Sequence, residues 1–209
     1  MLFTKTVSPN LFRILKSLSA LPALKDFPLV GGTNLALRFG HRESIDIDLF
    51  QNEEYDKELI KKEIIDLFPE TQIFRQSKFS IACSIENIKI DIVLHQYPYL
   101  KEIEILDGIK FLSVEDVAAM KLNAIAQRGA KKDFWDLALL LNFYSVEKML
   151  QLYSEKYANH DIGFVLLSMS YFENAESFDD PVSFNNYTWT SVKTKIQKEI
   201  KDYYKKNNS

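Results

Sequence analysis

Between Leu29 and Phe50 the chain reads LVGGTNLALRFGHRESIDIDLF, and no other stretch restricts the fold as strongly. Two adjacent glycines after an apolar pair specify a tight strand-to-helix turn, because glycine accepts backbone angles and close approaches that a side chain blocks. Farther along, Ser44 to Phe50 alternates. Ile45, Ile47 and Leu49 are predicted on one face of a strand, and Asp46 and Asp48 on the other. A chain with both features sets a carboxylate pair beside a turn whose main-chain amides can meet an anion. That order looks like a site for a metal-bound nucleoside triphosphate.

The rest of the pattern is mixed and then helical. Helices are predicted over 9–20, where Leu11, Ile14, Leu15 and Leu18 share a face, over 34–39, and over 54–68 on the spacing of Leu59, Ile60, Ile64 and Leu67. Short strands are predicted over 27–30, 72–75, 78–85 and 88–94, the last two joined at Glu86-Asn87. Ser113 to Asp116 resembles an acidic capping box opening a helix over 114–128. Gly129 interrupts, a second helix covers 131–142, and a polar loop over 173–186 precedes a last helix over 189–204. The expected class is α+β, with a core over 1–112 and a helical domain over 113–209 that contributes to the active-site cleft.

Asp46 and Asp48 lie within reach of one cation, and like charges so close need a counter-charge. Magnesium supplies one and takes a few carboxylates together with phosphate oxygens and water. Asp91, in IKIDIVLH, is the candidate third carboxylate, able to admit a second metal. An isolated Asp-x-Asp is ordinarily a solvated strand face. Aspartate is disfavoured in strands, however, and three in two strands require a reason. Gly31, Gly32 and Thr33 are the candidate phosphate turn, with Thr33 either capping the next helix or bonding phosphate through its hydroxyl. The spacing fits neither a dinucleotide fingerprint nor a P-loop. Arg42, between turn and aspartates, reads equally as a phosphate contact and as an exposed loop arginine.

From Lys121 to Lys132 the run KLNAIAQRGAKK holds four basic residues and no acidic one. It could neutralise triphosphate charge or receive an RNA backbone, or be a solvated helix face. Lys121 has apolar neighbours that weaken the last reading. Asp133 and Asp136 could pair with these cations or supply helix N-terminal charge. The net charge of −3 marks no general nucleic-acid binder. Cys83, the single cysteine, excludes a disulfide framework and reads as a small buried hydrophobe. No secretory signal and no membrane-length apolar run is seen, so a cytoplasmic protein is expected.

Three segments in order, GGTNLALRFGHRESIDIDLF, KIDIVLH and SVEDVAAMKLNAIAQRGAKKDFWDLALLL, resemble the AbiEii/AbiGii toxin-like nucleotidyltransferases of the DNA polymerase β-like superfamily. The resemblance covers roughly residues 10 to 145 and continues more weakly beyond. It implies a mixed sheet flanked by helices, then a helical domain. It implies transfer of a nucleoside monophosphate from an NTP bound with Mg2+ (or Mn2+) to an acceptor, tRNA, another RNA or protein. By that resemblance Gly31, Gly32 and Thr33 form the turn, Asp46 and Asp48 bind metal, and Asp91 helps activate the acceptor. Lys121 steadies the triphosphate, and Lys132, Asp133 and Asp136 match a later motif. An antitoxin partner is implied by the same route. A non-catalytic nucleotide- or RNA-binding module and a metal-dependent phosphohydrolase are the alternatives.

Overall fold

Ser8 opens the first helix, α1 (Pro9–Ser19). Its side chain accepts from the Leu11 amide at 3.0 Å, and Pro9 occupies the first helical position. Leu11, Ile14, Leu15 and Leu18 are fully buried, as their spacing predicts. The computed structural model describes residues 1–207, which fall into two compact units, Met1–Ser113 and the chain from Val114 onward.

The first unit continues through α2 (Gly31–Phe39), β1 (Asp46–Gln51), α3 (Lys57–Leu67), β2 (Gln72–Gln76), β3 (Ser80–Ile85) and β4 (Ile88–Leu94), then a small hairpin of β5 (Glu104–Leu106) and β6 (Ile109–Phe111). The main sheet has the order β1-β4-β3-β2; β1 pairs parallel with β4, and the other pairings are antiparallel. It is a mixed sheet in an α+β fold, as expected. Ile47, Leu49, Ile90 and Ile92 are at most 1% exposed and build the core with α1. Cys83 is buried among them, and burial, then the charge of Asp91, pushes its thiol up to about 11.

Four expectations are corrected. The strand over 27–30 shrinks to bridges at Leu29, which joins Leu49 on one side and Phe111 on the other. Pro28 lacks an amide and Gly31 ends the run, so no ladder can lengthen. The helix predicted from residue 34 begins at Gly31. Ile45 precedes β1 and is 64% exposed, so the alternation begins only at Asp46. Leu59 and Leu67 of α3 face outward, while Ile60 and Ile64 are buried, so the buried face is narrower than the spacing predicts. The β5–β6 hairpin was not predicted, although Asp107-Gly108, both at positive φ, is a recognisable turn signal. Glu86 and Asn87 form the predicted tight turn, again at positive φ.

The second unit holds α4 (Val114–Gln127), α5 (Lys131–Leu140), α6 (Val146–Lys156), α7 (Ile162–Ser168) and α8 (Trp189–Asn207). Gly129, at φ +55°, separates α4 from α5. Almost every residue of α5 is buried, and Trp135 stacks on Trp189 of α8 with centroids 5.8 Å apart. Asp116, expected in a capping box, is fully buried and bonds Lys156 Nζ at 2.7 Å. Among the described residues no helix is long and apolar enough to cross a membrane.

Candidate active site

Register brings the aspartates together. Asp48 of β1 is the direct partner of Asp91 of β4, and Asp46 is the partner of Lys89. Because β1 and β4 alternate in step, Asp46, Asp48, Lys89 and Asp91 share the face opposite the buried isoleucines. A parallel pair at the sheet edge thus sets three aspartates on one face, as IDID and KIDI suggest when read together.

The glycine turn is stitched to the same strand. The Val30 amide donates to the Asp48 carbonyl at 2.9 Å. Gly31, at φ +69°, then passes so close to Asp48 that an added Cβ would lie 3.2 Å from its Cγ and closer still to Oδ2. Gly32 lies against the Arg42 guanidinium, where an added Cβ would be 3.2 Å from Cζ. Gly31 is favoured by its positive φ as well as by its approach to Asp48, whereas at Gly32 an added Cβ would have to displace the Arg42 guanidinium. Arg42 is 3% exposed and donates to the Glu43 carbonyl at 2.8 Å. Its reading as an exposed loop arginine is corrected: the side chain folds back under the turn.

Of the two roles expected for Thr33, helix cap or phosphate contact, the cap is not adopted. Thr33 stands inside the first turn of α2, buried, with Val30 at the N-cap position. Its hydroxyl donates to the Asp46 carbonyl and lies 2.9 Å from Ser44 Oγ, joining helix to strand. Asn34 does similar work, donating to the carbonyls of Leu29 and Leu112 at 2.8 and 2.9 Å.

Lys89 was not singled out in the sequence. Its ammonium is ion-paired to Asp91 Oδ2. Burial tends to lower its pKa, but the bond to Asp91 and the charges of Asp91, Asp46 and Asp48 prevail and raise it. The signal was available, since Lys89 and Asp91 are two apart in a strand. Hard oxygen donors on one face suit a divalent cation, and the glycine cradle leaves the Asp48 carboxylate unobstructed by any Cβ. Among the described residues, however, no three carboxylate, histidine or cysteine side chains converge as a ready metal-binding group. Asp46 and Asp48 present two carboxylates on one face, and Asp91 beside them is held by Lys89.

The remaining predicted residues lie in the second unit. Lys121 is 5% exposed, with Nζ 3.1 Å from Asp133 Oδ1 and 2.7 Å from Asp136 Oδ2. Arg128 grips both oxygens of Asp133, at 2.8 and 3.0 Å. Burial tends to raise the Asp133 pKa, but Lys121 and Arg128 prevail and hold it below the usual carboxylate range. Lys131 pairs with Asp180 at 2.9 Å. Three cations of the basic segment are thus engaged with carboxylates.

A mixed sheet with a glycine turn feeding a helix beside an aspartate-bearing edge strand defines a nucleotidyltransferase fold. MenT4, a nucleotidyltransferase toxin of Mycobacterium tuberculosis H37Rv, shares it at a TM-score of 0.59 and 13% identity, over 89% of this chain and 78% of that one. JHP933 of Helicobacter pylori does so at 0.52 and 16%, over 95% and 93%. The chain belongs to the family described as nucleotidyl transferase AbiEii toxin, type IV TA system, which matches residues 13–204. It is also 34% identical over 197 residues to the uncharacterized protein aq_aa25 of Aquifex aeolicus (strain VF5), covering 90% of this chain and 93% of that protein.

Proposed function

We propose that this chain is an active, metal-dependent nucleotidyltransferase that moves a nucleoside monophosphate from an NTP to an RNA or protein acceptor. The observation that carries the reading is the Asp48–Asp91 register pair, with Asp46 on the same face and the Gly31–Gly32 turn packed against Asp48. Asp46 and Asp48 would hold magnesium, which when bound neutralises triphosphate charge and polarises the α-phosphate. The first turn of α2 orients main-chain amides toward phosphate, and Arg42 adds positive charge beneath that turn. Asp91 accepts the proton of the acceptor hydroxyl as its oxygen bonds to the α-phosphorus. The bond to the β-phosphate oxygen breaks, and pyrophosphate leaves.

The Lys121 group is assigned to the triphosphate by family resemblance. Its geometry supports a different first duty. Two buried carboxylates against Lys121 and Arg128 make a locally neutral network that fixes α4 against α5. Cytoplasmic action as the toxin of a toxin–antitoxin pair, with an antitoxin partner, belongs to the same proposal. A non-catalytic nucleotide-binding module is the second reading, favoured by the ion pair that already neutralises Asp91.

One experiment separates these. Purified protein, magnesium and each α-labelled NTP in turn are incubated with total RNA, beside an Asp46→Asn/Asp48→Asn control. Label on an RNA band with wild type alone establishes transfer, donor base and acceptor class. Label on protein alone moves the acceptor to protein. Nucleotide binding that survives the double substitution, without transfer, would establish the binding module instead.

A further inference from the structure

Lys89 sits where a metal-binding face should tolerate no extra cation. It is the register partner of Asp46, two residues from Asp91 along β4, and its ammonium is on Asp91 Oδ2. Asp91 is 17% exposed at its side chain, and Lys89 half exposed at 50%. The lysine therefore reaches in from solvent over a carboxylate that is mostly enclosed. With three aspartates on one face, one resident cation reduces like-charge repulsion while no other cation is bound.

Resting on the nucleotidyltransferase reading above, we propose that Lys89 is a positioning residue, a built-in counter-cation that competes with a divalent metal ion for Asp91. While Lys89 holds it, Asp91 is engaged by the lysine, and among the described residues no three-ligand group is assembled. Arrival of a metal-bound triphosphate supplies the competing positive charge for Asp91 and phosphate oxygens for the lysine. The long, half-exposed side chain transfers from carboxylate to phosphate without any movement of the strand. Asp91 is then released to serve the acceptor only when nucleotide is present. Such an exchange couples the base to the donor and suppresses idle metal binding.

Two affinities test this, measured by calorimetry on the full chain: Mn2+ alone, and a non-hydrolysable NTP analogue in the presence of Mn2+. Lys89→Met should bind Mn2+ alone about fivefold or more tightly, the effect of removing one like charge at roughly ion-pair distance in a largely aqueous setting. The same variant should bind the analogue more weakly, and Lys89→Arg should restore both values toward wild type. A purely structural lysine would not move the two affinities in opposite directions. Unchanged or weaker Mn2+ binding by Lys89→Met, with binding still abolished by Asp46→Asn/Asp48→Asn, overturns the role of Lys89 and leaves the metal site standing. Equal Mn2+ binding by wild type and the double aspartate variant overturns the metal site itself, and the role of Lys89 with it.

Discussion

Gly31 and Asp48 are in such close contact that the carboxylate occupies the space a Cβ on Gly31 would need. The turn and the metal-side aspartate are thus one unit. Gly31→Ala should lose stability twice: about 1–2 kcal/mol for a left-handed non-glycine residue, and a further loss from displacing Asp48. Gly108→Ala is the matched control. Its φ is +80° and an added Cβ there meets nothing within 4 Å, so only the conformational loss applies. Denaturant unfolding should rank Gly31→Ala below Gly108→Ala, and only the former should weaken Mn2+–nucleotide binding. Equal losses in both variants would mean that Asp48 moves aside harmlessly.

The Gly32–Arg42 contact yields a second outcome. Arg42 is buried under the turn, so Arg42→Ala removes both a cation and the packing beneath Gly32. Nucleotide affinity should fall by about tenfold or more, in line with about 1.5–3 kcal/mol for a hydrogen bond to a charged group. Arg42→Lys should recover only part of this, since lysine lacks the planar fork. Full recovery by lysine in a binding titration would reduce the role of Arg42 to bare charge.

Why the aspartates were legible and the lysine was not follows from what a linear pattern encodes. Asp46, Asp48 and Asp91 interrupt apolar alternation, which exposes them on a face regardless of tertiary structure. The parallel pairing that makes Asp48 and Asp91 neighbours depends on sheet order, which alternation does not specify. Thr33 reads in the sequence as a helix cap or a phosphate contact, and Arg42 as a phosphate contact or an exposed loop arginine, because their residue types suit either duty. Their burial comes from packing of α2 on β1, a tertiary effect with no local signature. The β5–β6 hairpin was overlooked for its three-residue strands, though Asp107-Gly108 signalled it. In the helical unit, the pairing of Asp133 and Asp136 with the basic segment was one of two readings open in the sequence, and the turn at Gly129 is what brings Lys121 to them.

Lys121 now invites a direct contest between structural and substrate roles. Lys121→Met would leave Asp133 and Asp136 buried beside one fewer cation, which should destabilise the fold by about 3–5 kcal/mol. A chemical melt measures this. A variant of wild-type stability with weakened NTP binding would return Lys121 to the triphosphate.

The same network predicts an acid limit. Lys121 and Arg128 outweigh burial and depress the pKa of Asp133 below its ordinary 3.8. A carboxylate depressed in the folded state contributes stability above the unfolded value, lost as pH falls through the folded one. Asp133 therefore stabilises fully above the region of pH 3.8 and fails below it. Arg128→Ala removes the bidentate partner and should shift the acid-unfolding midpoint to higher pH. An unmoved midpoint would show that Lys121 alone sustains the depression.

Lys156 and Asp116 form the most enclosed ion pair described, with both side chains at 0% exposure. Burial, despite the opposing bond and charge of Asp116, pulls the lysine pKa below its ordinary range. A pair so placed contributes little net stability, because desolvation offsets attraction, yet removing one partner strands the other. Lys156→Met should destabilise by about 3–5 kcal/mol through the stranded aspartate. Lys156→Met/Asp116→Asn should regain much of that loss, because no buried full charge then lacks its counter-ion. Thermal or denaturant melts of the two single variants and the double variant close the cycle. If the double variant is as unstable as Lys156→Met, Asp116 is held by contacts other than the lysine, and the two residues act independently in fixing α4 to α6.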